Sequence, residues 1–366
     1  MPALLLAVLC AAAPNAVGSD TPAEVAALLA RMREEESLYE NLEVRYRVDM
    51  EGYLLPGETP SGRTIHFRSD TVWAVWQSGL YFGRVTYHWD MSDGTRKEVE
   101  GEYGYDGELC RRNFMGGIGD ILDVKEPESE FFPPHRWAVA EFYKAPTLAA
   151  AFEQDPTLWG TLKPGERQET TIVGREEIDG VRCIKLRCRW FHPDGSEENS
   201  RYHTWIAPER NYLAARHEQY LTHTSLEIPL AEYQVGDWRE VAPGVWLPFR
   251  ARMKGYSPRH MREGKRVLTS DTTYTLESAG LDPHYGIELF RDVKMPEVGP
   301  TYTIKNGEIV STEWRGAPVP EPPRGGAARL LWLVAANLLV LAIVGLLWWI
   351  RHRARRRLAP SNREGV

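Results

Sequence analysis

RYHTWIAPERNYLAARHEQY, residues 201–220, decides how the rest of this chain is read. It holds His203 and His217, Glu209 and Glu218, and Arg210 and Arg216, residue types that catalysis uses. Its order points instead to a β-hairpin. Ser200–Ile206 and Tyr212–His223 read as strands, and Ala207–Asn211 between them carries turn chemistry. Pro208 pre-sets the bend and Asn211 tolerates a left-handed backbone, with Glu209 and Arg210 turned to water. On the return strand a period of two puts Arg216 and Glu218 on one face, His217 and Gln219 on the other. A catalytic reading needs a nucleophile or a metal held by these groups, and neither partner is evident. The stretch is scaffold, with His203 and Glu218 as a cross-strand polar pair.

The same alternation recurs outward from the hairpin. Leu42, Val44, Tyr46, Val48 and Met50 alternate with Glu43, Arg45, Arg47 and Asp49, giving a strand with one dry and one wet face. Similar runs follow at Thr64–Arg68, Thr71–Trp76, Leu80–Trp89, Arg96–Tyr105 and Glu108–Phe114. Later ones are Gln168–Val173, Val181–Trp190, Trp246–Met253 and Val267–Leu276, with a short hairpin about Asn306-Gly307. The pairs Asp93-Gly94, Asp106-Gly107, Asp179-Gly180 and Asp194-Gly195 sit at hairpin positions. No run is followed by a regular crossover helix, which argues against a parallel sheet. Before the first strand, Thr21-Pro22-Ala23-Glu24 is a capping box with proline at the first helical position. Val25, Leu28, Leu29 and Met32 then form an apolar helical stripe, and Glu34 to Glu36 read as a solvated face. Residues 115–160 break the strand rhythm. There GGIGD (116–120) lacks the lysine and hydroxyl of a phosphate loop and reads as a flexible turn. PHRWAVAEFYKAP and TLAAAFEQ read as one or two short helices, a lid over the open face of a curved sheet.

The two ends speak of export. In MPALLLAVLCAAAPNAVG (1–18) an apolar stretch is followed by Ala16-Val17-Gly18, as in a secretory signal peptide. Leu9 is too large for a usual lipobox before Cys10. LLWLVAANLLVLAIVGLLWWI (330–350) has 21 residues without a charge. At about 1.5 Å per residue it spans roughly 30 Å, one bilayer core. RHRARRR (351–357) follows as a stop signal held in the cytoplasm. The reading is therefore a signal peptide at 1–18, an extracytoplasmic β domain at 19–315, a Pro/Gly-rich linker at 316–329, a transmembrane helix at 330–350 and a basic tail at 351–366. VPEP (319–322) ahead of the apolar span also resembles PEP-type sorting signals, although Arg324 and Arg329 intervene, so a permanent anchor is preferred.

LLARMREEESLYENLEVRYRV, a helix feeding straight into a strand, resembles the opening of the LolA/LolB-like lipoprotein-carrier fold. IVGREEIDGVRCIKLRC, the 201–220 hairpin, VAPGVWLPFRARM and ELFRDVKMPEVGPTYTI resemble later segments of its large bacterial relatives. The likeness covers roughly residues 22–312 and rests on turn and packing signals. It implies a mainly antiparallel, incomplete (half-open) β-barrel, with an N-terminal helix and a short helical insert as lid over a hydrophobic cavity. It also implies a lipid, an acyl chain or a lipidated protein as partner. A C-terminal membrane helix departs from the soluble carriers of that family.

The remaining residues fit a binding protein without cofactor or metal. A net charge of −7 gives no reason to expect nucleic acid. His203, His217 and His223 lack HxH or HExxH spacing, and neither GxSxG nor SxxK occurs. Glu176-Glu177 and Glu197-Glu198 read as loop charges beside Asp-Gly turns. Once Cys10 leaves with the signal, Cys110, Cys183 and Cys188 remain. Cys183 and Cys188 point opposite ways on one strand, and a Cys110–Cys183 bridge stays open. The tryptophans Trp73, Trp76, Trp89, Trp190, Trp205 and Trp246 occupy strands and are candidate linings of an apolar pocket. The expected function is non-catalytic: an envelope protein binding lipid or lipoprotein in a hollow. The alternatives are an envelope sensor or interaction module without lipid, and a carbohydrate hydrolase built on a carboxylate pair.

Overall fold

The computed structural model describes residues 22–53, 64–90, 96–114, 118–123, 131–142, 147–153, 166–306 and 308–316. The segments read as a signal peptide (1–18), a linker (beyond Gly316), a transmembrane helix (330–350) and a basic tail (351–366) lie outside these residues. Among the described residues no helix is long and apolar enough to cross a membrane. The chain divides into two compact units, Met1–Glu313 and Trp314–Val366, and of the second only residues 314–316 are described.

Helix α1 runs Pro22–Glu36, with Pro22 at its first position as the sequence indicates. Leu28, Leu29 and Met32 are buried along its stripe. Six strands follow as a meander: β1 (Leu42–Tyr53), β2 (Thr64–Gln77), β3 (Leu80–Asp90), β4 (Arg96–Tyr105), β5 (Leu109–Phe114) and β6 (Ile118–Asp123). An insert then carries 3₁₀ turns at Pro134–Phe142 and Ala150–Phe152. A second meander comprises β7 (Arg167–Ile178), β8 (Val181–Phe191), β9 (Glu197–Ala207), β10 (Leu213–Leu221), β11 (Ala231–Ala242), β12 (Val245–Tyr256) and β13 (Leu268–Leu281). Short helices α2 (Pro258–Met261) and α3 (Ile287–Arg291) precede β13 and the final strands β14 (Gly299–Lys305) and β15 (Glu308–Arg315).

Among the described residues fifteen strands join one sheet, in the order β15-β14-β6-β5-β4-β3-β2-β1-β13-β12-β11-β10-β9-β8-β7. The two meanders meet where β1 pairs antiparallel with β13, Leu42 opposite Leu281. The sheet is mainly antiparallel and open: its order ends at β15 and β7 rather than closing. Register shifts interrupt the ladders at Arg45/Tyr46, Met50/Glu51 and Ala214/Arg216, the irregularity that bends a strand and tightens its twist.

Several expectations change in detail. GGIGD is not simply a turn, because Ile118 already begins β6. Thr64–Arg68 and Thr71–Trp76 are one strand. β11 was not anticipated: Gly236 and Asp237 interrupt its apolar alternation, and Asp237 has a positive φ of 52°. One parallel pair does occur, β14 beside β6, with Thr301 opposite Gly119.

The sheet's inner face carries the main core. Val44, Tyr46 and Val48 of β1, Leu186 of β8, Ile206 of β9 and Leu247 of β12 are buried there with the α1 stripe and the insert. The outer face holds smaller clusters, one around Val75, Phe82 and Phe290, another around Val181, Cys183 and Trp205.

Candidate functional site

The insert packs on the inner face of the sheet and touches both meanders. The Trp137 indole, 1% exposed, meets Tyr46 of β1 edge-on at 5.4 Å and Tyr274 of β13 at 5.4 Å. Phe131 packs against Tyr103 at 5.0 Å and Tyr81 at 6.2 Å on the first meander. Its seat needs glycine: a Cβ at Gly83 would stand 2.3 Å from the Phe131 ring. At the other end Gln168 Nε2 donates to the Ala151 carbonyl (3.0 Å) and Thr170 Oγ1 to that of Phe152 (2.8 Å), fastening the insert to β7.

One carboxylate ties the insert to α1. Glu36 receives Arg136 Nε at 2.8 Å and Nη2 at 2.6 Å, and the Leu148 amide at 2.5 Å. His135 Nε2 stands 3.7 Å from the same carboxylate, its ring stacked on Tyr39 at 4.7 Å. Burial alone raises the Glu36 pKa, but the contacts with His135, Arg136 and the Leu148 amide outweigh it, and the carboxyl lies below its ordinary range. Burial holds His135 below its ordinary value, with Arg136 acting the same way against Glu36. The acidic run 34–36 is thus not a uniformly solvated face. Glu34 is exposed beside Arg31 and Glu35 accepts from Asn211, while Glu36 is 7% exposed. Its position could have been read: it falls four residues after Met32, on the dry stripe of α1.

The candidate tryptophans do not form one lining. Trp76 and Trp190 pack against the inner core, Trp190 beside Tyr202 at 6.0 Å. Trp73 belongs to the outer cluster with Phe82. Trp205 lies in the other outer cluster and donates from Nε1 to Glu176 at 2.9 Å. Trp246 alternates with the inward Val245 and Leu247 and lies under the Arg210 guanidinium at 3.9 Å. The Trp89 side chain lies outside the described residues. Tyrosines take the inner positions instead, among them Tyr46, Tyr81, Tyr87, Tyr103 and Tyr105, with Tyr87 and Tyr103 hydroxyls 3.2 Å apart. The alternation of Tyr103 with Tyr105 was the available signal.

The 201–220 hairpin forms as read, Asn211 at φ 52°. Arg210 is not free in water, since it stacks on Trp246, and Glu209 pairs with Arg182. His203 and Glu218 face each other in register, but Glu218 accepts from Arg216 and from Tyr220 Oη (2.5 Å). His217 is buried with Nδ1 2.7 Å from Thr204 Oγ1, on the face opposite His203. Burial, then the cations Lys185, Arg187 and Arg201, push the His203 pKa down to about 4. Among the described residues no group of three or more His, Cys, Asp or Glu could hold a metal ion. Glu176 is not a loop charge but a β7 residue held by Trp205 and Lys185. Glu197 opens β9 and pairs with Arg201. The Cys110–Cys183 bridge does not form: the described cysteines are buried and unbridged, with Cys110 in the inner core and Cys183 in an outer cluster.

No family model and no curated protein matches the chain. Solved structures are similar to it at low identity. One is described as an outer membrane lipoprotein-sorting protein domain, from Vibrio parahaemolyticus, with 9% identity over 73% of this chain and 98% of that one, at a TM-score of 0.39. The Mycobacterium tuberculosis lipoprotein LppX has 11% identity over 70% and 99%, at 0.25. A third, described as an exported protein with a YmcC-like fold from Bacteroides fragilis, has 11% identity over 66% and 96%, at 0.17.

Proposed function

We propose that this chain is an exported, membrane-anchored protein that holds the acyl chain of a lipid or lipidated protein against the inner face of its sheet, without catalysis. The observation that carries this reading is the insert. An apolar face drawn from both meanders is covered by short 3₁₀ turns rather than by a long helix, and Glu36 ties both halves of that cover to α1. A cover of this kind withdraws as a unit when a few polar bonds break, and an alkyl chain then takes the place of Phe131 and Trp137. Each buried methylene contributes about 0.8 kcal/mol, so ~10 of them supply roughly 8 kcal/mol toward opening the cover and ordering the ligand. The segment 330–350 is the anchor in this reading, with the sheet outside the cytoplasm.

Native mass spectrometry of the full chain in neutral detergent tests it. A lipid adduct that survives purification, and uptake of a fluorescent fatty acid after delipidation, are expected. A protein that carries no adduct and takes up no fatty acid or lipopeptide refutes the reading. That outcome favours the alternative of an interaction module without lipid, for which the insert is a permanent part of the core.

A further inference from the structure

The outer face of the second meander carries a groove far removed in chemistry from the tyrosine-lined interior. It has a volume of about 280 Å³ and is bordered by Asp179, Arg216, Gln234, Gly236, Arg250, Arg252 and Lys254, with Glu232 at one end. On β12, Ala251 is turned to the core, so Arg250, Arg252 and Lys254 occupy successive outward positions, a cationic stripe along one strand. Register brings Gln234 opposite Arg252 and Arg216 opposite Gln234, and sets Gly236 beside Arg250.

Most charges in this groove are already engaged. Glu232 accepts from Arg266 and Tyr256, with Arg216 3.9 Å away, and Asp271 accepts from Nε and Nη2 of Arg252. Asp179 accepts from Gln234 Nε2 at 2.8 Å, and Arg216 is held by Glu218. Arg250 and Lys254 make no hydrogen bond or ion pair among the described residues, but Lys254 stands in register with Glu232 on β11 and Asp271 on β13, so the exception is Arg250. Arg250 is flanked by Gly236 on β11 and Thr275 on β13, with no carboxylate at its register position on either strand. A Cβ placed on Gly236 would meet nothing within 4 Å, so the floor beside Arg250 is open.

We propose that this groove is a binding site for a phosphate-bearing anion, seated over Gly236 against Arg250, with Arg216 and Lys254, each already facing a carboxylate, on its rim. A guanidinium fork matches phosphate oxygens in pairs, and adjacent same-sign cations gain most from an anion placed between them. Free phosphate and the phosphodiester of a lipid headgroup share this chemistry, and the site stands apart from the acyl-chain site.

The test uses the full chain in neutral detergent, titrated with inorganic phosphate, glycerol phosphate and short-chain phosphatidylglycerol, with short-chain phosphatidylcholine as the zwitterionic comparison. Arg250→Gln combined with Lys254→Gln is expected to weaken phosphate binding at least tenfold and to flatten its salt dependence. Gly236→Val keeps every charge, suits a strand, and fills the floor, so it should weaken binding as well. Binding of phosphate and glycerol phosphate identifies a soluble anion as the source; binding of phosphatidylglycerol alone identifies a lipid headgroup. Fatty-acid uptake should be unchanged in both variants, which separates this site from the interior. The proposal is overturned if no probe binds the parent chain, or if both variants bind as tightly as the parent.

Discussion

Replacing Glu36 by Gln tests whether the insert is a cover held by one carboxylate. The amide keeps the size of the side chain and an oxygen for the Leu148 amide, but it loses the charge that faces Arg136. Hydrogen bonds to charged groups contribute about 1.5–3 kcal/mol. Arg136 retains 20% exposure of its side chain and rehydrates in part, so the cost falls below the ~3–5 kcal/mol of a fully buried broken pair. A loss of about 2 kcal/mol corresponds to roughly 30-fold more of the open form. Hydrogen exchange reads this directly. Amides of residues 131–142 and 147–153 should exchange about 30-fold faster in Glu36→Gln, while protection in β1, β2 and β13 stays at the parent level. Fatty-acid uptake should accelerate in the same variant. Unchanged exchange in the insert, or a loss spread evenly over the whole sheet, would refute the idea of a separately opening cover.

Acid should loosen the same contacts. His135 has a depressed folded pKa, so the opened state takes up a proton first and the closed insert weakens as pH falls below about 6.5. Glu36 is also depressed, so its contribution is complete above about 4.5 and is lost as pH falls through its lowered value. Both shifts have the same sign, so protection factors in the insert, with exchange corrected for the intrinsic rate at each pH, should fall from pH 7 to pH 4; a flat profile contradicts the assignment. Asn211→Ala should lower stability by about 3 kcal/mol, since Asn211 accepts from the Trp246 amide and donates to Glu35 and the Gly244 carbonyl from a left-handed backbone. The urea midpoint measures it, and a change under 1 kcal/mol on that scale sinks the account. Cys110, Cys183 and Cys188 should react with a thiol reagent only after denaturation, and reductant should leave the melting temperature unchanged. A drop on reduction would reveal a bridge.

The strands were legible because a period of two is a local signal, and Arg96–Tyr105 appears with its bounds unchanged as β4. The 201–220 turn was legible for the same reason, Pro208 and Asn211 each carrying their own backbone preference. Residue faces were harder. Trp205 and Trp246 looked like interior aromatics, yet the pleat sends them outward, where Lys185 and Arg210 lie against their rings. Composition carries no information on which side of a sheet a large ring falls; only its neighbours two residues away do. The role of Glu36 depended on residues a hundred positions onward, and no local pattern announces such a partner. The parallel pair, β14 with β6, likewise joins segments far apart in the chain.

The seam between β1 and β13 has a consequence for how the molecule is made. The first strand to emerge must wait for nearly the last before its second edge is paired, and this seam, Leu42 opposite Leu281, is a non-local pairing of the kind that slows folding. Until then, each meander presents an unpaired edge and half of a greasy surface, the condition under which newly synthesised chains stick to one another. Assembly of such a protein calls for protection between synthesis and completion, and its yield should depend more on that interval than on its final stability.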